Sequence, residues 1–212
     1  MKPLRASFYI LVSCLLASSS WSQVPSTKIT SMQKEAESRG WTFSVGETSA
    51  ASRPHEQLCG FQVTDEWLAT VPPTIPSGAK SAKSLPSVFD WRTAGGTTPV
   101  RDQGGCGSCW AFAMMGSLEG AIKIADGIEE DLSEQWLVSC NTEGYGCSGS
   151  VWLFDYFTGK KDACGESGVV LETDFPYVGY DAECACPHPR AYLADSWAYV
   201  NGLVPGDDDI KQ

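Results

Sequence analysis

Apolar positions along the chain predict a small set of helices. The strongest run is Trp110-Ala111-Phe112-Ala113-Met114-Met115, continuing through Leu118-Glu119-Gly120-Ala121-Ile122. Its spacing predicts a central helix from about Ser108 to Ile124. A second helix is expected from about Ser133, because Leu132-Ser133-Glu134-Gln135-Trp136-Leu137-Val138 puts a hydroxyl N-cap ahead of an apolar face. Val151 to Thr158 is rich in aromatic residues and is read as a third. Near the start, Thr27 to Ser38 holds one short helical pattern on Ile29, Met32 and Ala36, and Trp41 to Gly46 reads as extended. Val169-Val170-Leu171 and Tyr192 to Val200 read as short strands or extended pieces.

The flanks are of a different character. A basic start, Met1-Lys2-Pro3-Leu4-Arg5, precedes an apolar core from Phe8 to Ala17 and small residues ending at Ser22. This is the layout of a secretory leader, residues 1–22, with an apolar core too short to span a bilayer. Residues 23–84 are polar and poor in cysteine. They close on Pro72-Pro73, Pro76, Ser77-Gly78 and Lys80-Ser81-Ala82-Lys83-Ser84, an exposed linker that proteases can reach.

Composition narrows the function. The 212 residues carry a net charge of −11, with 26 acidic side chains against 15 basic ones, so nucleic acid and anionic membranes are poor partners. No cofactor is implied. Of nine cysteines, Cys14 would leave with the leader, and the other eight would enter an oxidising compartment where disulfides are the default.

The candidate chemistry sits where a glycine-rich loop meets the central helix, in Gln103-Gly104-Gly105-Cys106-Gly107-Ser108-Cys109-Trp110. A helix start carries partial positive charge and unpaired N–H groups, which favours a thiolate, so Cys109 is a candidate nucleophile. Taken alone, Cys106 and Cys109 also fit a redox or zinc C-x-x-C pair. The complete string Cys106-Gly107-Ser108-Cys109-Trp110 is far more specific, because it matches the C-G-[SA]-C-[WY] signature of one family. From about Leu85 to Gln212 the chain resembles the papain-like cysteine proteases. Phe89-Asp90-Trp91-Arg92, Pro99-Val100-Arg101-Asp102-Gln103, Leu132-Ser133-Glu134-Gln135, Leu137-Val138-Ser139-Cys140 and Phe175-Pro176-Tyr177 all agree with it.

That resemblance implies an α+β papain-like fold. Residues 85–212 would form the mostly helical, disulfide-linked left domain and only the start of a β-rich right domain. It implies a cysteine peptidase acting on peptide or protein substrates through an acyl-enzyme. Cys109 would attack, and Gln103 would give its side-chain amide to the oxyanion hole. Gly149 and Ser150 would pair with substrate backbone, although Ser150 stands where the family has glycine and its side chain narrows the approach. Trp152 would wall the pocket for the second residue before the scissile bond. Disulfides Cys106–Cys147 and Cys140–Cys184 follow the family pattern. Residues 23–84 would be a short pro-segment, closer to the compact cathepsin B type, lying along the cleft and blocking it until removed. The product would be exported to the exterior or to a lysosome- or vacuole-like compartment.

Three points stay open. Cys164 and Cys186 lie outside the family pattern; the exported context favours a third disulfide, with unpaired thiols or a metal as alternatives. Cys59 either pairs with a later cysteine or stays unpaired. The family's catalytic His and Asn lie roughly 130 to 150 residues after the nucleophile, whereas the two histidines here are His55 and His188, the latter 79 residues beyond Cys109. His188 is expected to be a solvated loop residue. The chain is then the front portion of a longer product, with no activity of its own; the alternative is an exported, disulfide-stabilised peptide-binding fragment.

Overall fold

A computed structural model describes residues 24–54, 57–61, 65, 69 and 86–199. The leader and its Cys14, most of the linker, His55 and the residues after 199 lie outside the described residues. The chain divides into two units, Met1–Ser52 and Arg53–Gln212, each treated by itself.

In the first unit, α1 (Ser26–Arg39) covers the expected helix and buries Ile29 and Ala36, while Met32 stays exposed. Gly40 ends it in the left-handed region, with its N–H turned back to Ala36 and Glu37. The following stretch, read from sequence as extended, bends at Thr42 and Phe43 and forms no strand. Trp41 and Phe43 stack at 5.1 Å, and the Gln33 amide donates to the Val45 carbonyl at 2.9 Å. A single 3₁₀ turn, Ser49–Ser52, closes the unit.

The second unit is built on α2 (Cys109–Asp126), the central helix of the sequence reading. Its inner face, Trp110, Ala111, Met114, Met115 and Ile122, is buried. Buried Glu119 on the same helix accepts the Leu132 N–H at 2.9 Å and the Thr98 hydroxyl at 2.7 Å, fastening both flanking loops. Helix α3 (Glu134–Cys140) begins where Ser133 predicted: its Oγ accepts from Trp136 N at 2.9 Å. Trp136, Leu137, Val138 and Cys140 complete the core with Val151, Leu153, Tyr156, Phe157, Val169 and Val170.

The third helix is shorter than expected. Only Asp155–Thr158 is helical, here α4. Val151 to Phe154 stays irregular because its backbone is engaged elsewhere: Val151 O accepts the Ser150 hydroxyl at 2.9 Å, and Leu153 N points to Met114 Sδ at 3.3 Å. The expected strands reduce to isolated bridges, Val169 with Tyr192 and Leu132 with Leu171. Among the described residues there is no sheet, and no helix is long and apolar enough to cross a membrane.

Three disulfides staple this unit: Cys106–Cys147, Cys140–Cys184 and Cys164–Cys186. The last two lie side by side, with Cys164 Sγ 3.4 Å from Cys184 Sγ. His188 belongs to this corner, its ring stacked on Phe175 at 4.5 Å. Its ring nitrogen lies within 4.8 Å of the sulfurs of Cys140, Cys164 and Cys184. Those sulfurs are disulfide-bonded, so thiolate ligation of a metal would first require their reduction. Burial holds the imidazole below its ordinary pKa, aided by the Arg190 charge. His188 is thus a packed ring beside the disulfides, and the solvated loop residue expected from sequence is corrected. Asp162 organises the same corner. Buried there, it accepts from Trp136 Nε1 and Arg190 Nη2, each at 2.7 Å, and from the Cys164 amide at 2.9 Å.

Candidate active site

The loop ahead of α2 is held from several sides. Gly107 N donates to Cys147 O at 2.9 Å, next to the Cys106–Cys147 bond, and Trp110 Nε1 donates to Gly146 O at 3.2 Å. Ser108 is the N-cap by position, yet its side chain caps no helix amide. It meets the Tyr177 hydroxyl at 2.6 Å, and that hydroxyl donates to Gln103 O at 2.7 Å. Tyr177 also sets its ring edge-on to Phe112 at 4.9 Å. Burial raises the Tyr177 phenol pKa, so the phenol keeps the proton it donates. Cys109 is the first residue of α2, partly exposed and outside the three disulfides.

What lies against Cys109 is a peptide strand from earlier in the chain. Gly60 N donates to Cys109 Sγ at 3.1 Å. On its other side Ser150 N donates to Gly60 O at 2.6 Å, and Phe61 and Ser150 form a parallel bridge. The Phe61 ring lies on Trp152 at 4.4 Å. The Gln103 side-chain amide faces the same strand, donating to Gln57 O at 3.0 Å as well as to Cys106 O at 2.9 Å. Just upstream, Arg53 clamps Asp102 through two bonds of 2.8 and 3.2 Å. Gly60 is buried, and a Cβ there would stand 1.5 Å from Gly107 O and 2.5 Å from Gly107 C. The strand crosses at a point where only glycine fits.

Of the residues singled out from sequence, Cys109, Gln103, Ser150 and Trp152 therefore line one groove. Gly149 takes part indirectly. Its φ of 108° and its bond from N to Gly146 O at 3.0 Å shape the turn that presents the Ser150 amide. The narrowing expected from Ser150 is relieved, because its hydroxyl is folded onto Val151 O and the residue is buried. His188 does not join them. Gly60, Phe61, Gln57 and Tyr177 had no assigned role. Phe175-Pro176-Tyr177 and Leu58-Cys59-Gly60-Phe61 stand out as strings, but the contacts that make them matter span about half the chain.

The stapled helical unit presents one thiol at the head of its central helix, beside backbone groups that pair with a peptide segment. Residues 85–205 match the papain family cysteine proteases, and the chain belongs to that family. It is similar to a senescence-specific cysteine protease of Oryza sativa subsp. japonica, at 37% identity over 157 residues, covering 68% of this chain and 43% of that protein. Among solved structures it resembles the digestive procathepsin L2 proteinase from Tenebrio molitor larval midgut. There the TM-score is 0.61 and the identity 28%, over 76% of this chain and 53% of that one. A structure from a study of the mite allergens Blo t 1 and Der p 1 shares the fold. Its TM-score is 0.67 at 24% identity, over 87% of this chain and 61% of that one. The chain thus spans less than half the length of this curated relative.

Proposed function

We propose that this chain is the front portion of an exported cysteine-peptidase zymogen. Residues 1–22 are the leader, 23–84 the pro-segment and linker, and 85–212 the nucleophile-bearing part of the enzyme. Cys109 is the nucleophile. The Gln103 amide and the backbone N–H of Cys109 stabilise the oxyanion, and Ser150 with Trp152 receives the substrate on the other wall. The imidazole that takes the thiol proton comes from sequence outside these 212 residues, as does its Asn partner. Export delivers the protein to the exterior or to a lysosome- or vacuole-like compartment.

One observation carries this reading. The peptide strand around Gly60 sits on Cys109 Sγ at 3.1 Å and hydrogen-bonds Ser150 across the groove, as a substrate backbone would. Bound there before processing, residues 57–61 keep substrate away from the thiol.

The test is the alkylation rate of Cys109 against pH, on this chain and on a version extended through the expected His, each with its pro-segment removed and with Cys109→Ala as the blank. Fast alkylation at acid pH only in the extended protein supports a thiol completed by a distant base. Slow alkylation of both at every pH refutes the nucleophile and leaves a peptide-binding fragment.

A further inference from the structure

The corner beyond the end of α3 holds four sulfurs in mutual contact. Cys140–Cys184 and Cys164–Cys186 are the bonded pairs, and Cys184 Sγ touches both sulfurs of the second bond, Cys164 Sγ at 3.4 Å and Cys186 Sγ at 3.7 Å. The ends of this row differ in access. Cys186 is exposed, whereas Cys140, the last residue of α3, is fully buried. Cys164 is held in place by more than its own disulfide. Its amide donates to Asp162 Oδ1 at 2.9 Å, and the Ala163 amide donates to Cys140 O at 2.9 Å. Opening Cys164–Cys186 therefore leaves the Cys164 sulfur beside Cys184. The corner also holds an acceptor for a released thiol. Among the described residues His188 Nε2 is buried with no hydrogen-bond partner, and a ring nitrogen of His188 lies within 4.8 Å of the Cys140 sulfur.

We propose that the two adjoining disulfides form a thiol-exchange relay, in which a low-molecular-weight thiol, RSH, enters at Cys186 and the reduction emerges at buried Cys140. The thiolate RS⁻ attacks Cys186 Sγ, forming Cys186–S–SR and releasing the Cys164 thiolate. The Cys164 thiolate then attacks Cys184 Sγ, forming Cys164–Cys184 and releasing the Cys140 thiolate, which takes up a proton. A second RS⁻ attacks the outer sulfur of Cys186–S–SR, giving RSSR and the Cys186 thiol. In sum, two RSH become RSSR, and one protein disulfide becomes two thiols, on Cys140 and Cys186. The Cys140–Cys184 bond is opened with no reagent reaching it. Cys184 ends the segment that carries Tyr177, whose hydroxyl meets Ser108 and Gln103. The exchange thus unties α3 from the segment that braces the loop ahead of Cys109. The relay needs no chemistry at Cys109 and is independent of the peptidase reading.

The test uses the full chain with its three disulfides formed. Thiols that react before reduction are blocked with iodoacetamide. Glutathione is then added, samples are quenched over time with N-ethylmaleimide, and the digest is mapped by mass spectrometry without reduction. The Cys164 thiolate acts on Cys184 at an effective concentration of about 1 mM or more, so glutathione at about 0.1 mM is outcompeted about tenfold. The expected result is a glutathione adduct on Cys186, followed by a peptide pair joined through Cys164 and Cys184 with maleimide on Cys140. In Cys164→Ser, maleimide labelling of Cys140 should fall about tenfold. A second variant needs no reductant: Cys186→Ser leaves the Cys164 thiol beside Cys184, and labelling should divide between Cys164 and Cys140. The relay is refuted if the wild type labels Cys164 and Cys186 while Cys140–Cys184 stays joined. It is refuted equally if Cys140 is labelled as fast in Cys164→Ser as in the wild type, or if Cys186→Ser is labelled at Cys164 alone.

Discussion

Replacing Gly60 by alanine tests the blocking strand at its tightest contact. The added Cβ would lie 1.5 Å from Gly107 O and 2.5 Å from Gly107 C. Both are backbone atoms in a loop pinned by the Cys106–Cys147 disulfide and by the bond from Gly107 N to Cys147 O, so the loop cannot yield. Gly60 is not among the positive-φ glycines, and alanine suits its backbone conformation in the unbound strand. The strand must therefore lift. Lifting forfeits the Gly60 N–H bond to Cys109 Sγ, the Ser150 N–H bond to Gly60 O and the Phe61 ring on Trp152. At about 1 kcal/mol for each hydrogen bond and about 0.5–1.5 kcal/mol for the ring pair, the loss is about 2–4 kcal/mol, or about 30- to 1000-fold in occupancy. The assay is iodoacetamide alkylation of Cys109 in the chain with its three disulfides intact, read by mass mapping, with Gly46→Ala as the control, since a Cβ at Gly46 meets nothing within 4 Å. Alkylation should accelerate by about 30-fold or more in Gly60→Ala. A rate equal to that of wild type would refute the reasoning, because it would mean that the strand does not govern access to the thiol.

Other consequences concern the scaffold. Burial, with Glu172, Glu119 and Asp131 nearby, pushes the Glu134 carboxyl from its ordinary 4.5 up to about 8. The folded state then holds a proton that the unfolded chain has lost, so this group's contribution to stability declines as pH rises through that window. Urea midpoints at pH 5 and pH 8 should show Glu134→Gln gaining on wild type as pH rises; parallel behaviour would contradict the burial argument. Asp162→Ala strands the Arg190 guanidinium, the Trp136 indole N–H and the Cys164 amide. Calorimetry should show a loss of about 3 kcal/mol or more. Ser133→Ala removes a cap whose hydroxyl also donates to Phe175 O at 2.6 Å, and should cost about 1–2 kcal/mol in denaturant titration.

The parts of the site that could be read from sequence are those whose causes are local. Gln103 to Trp110 announces a tight loop feeding a helix, and the apolar periodicity from Trp110 to Ile122 announces the buried face behind it. Ser133 announced its helix because a cap acts within three residues. Val151 to Phe154 did not announce itself, because aromatic richness favours burial in any backbone conformation, and here the Met114 sulfur and the Ser150 hydroxyl engage the groups a helix would use. Gly60 was opaque for a different reason: nothing near it in sequence says that the Gly107 peptide will press against it. The tie of Tyr177 to Ser108 and Gln103 is likewise a product of tertiary packing. His188 looked solvent-facing between two prolines, yet Phe175 and the paired disulfides enclose it.

The groove that holds Gly60 has one wall at Gly107 and the other at Ser150, and the Cys106–Cys147 bond draws those walls together. Translation proceeds from the N-terminus at about 5–20 residues per second, so the strand exists for roughly ten seconds before its receptor is synthesised. During that interval residues 57–61 have no groove to enter. Docking of the strand is thus acquired late and all at once, when the second wall closes over a strand already waiting in reach. Any delay in forming Cys106–Cys147 would expose the strand and the thiol together, making that disulfide the timekeeper of the docked arrangement.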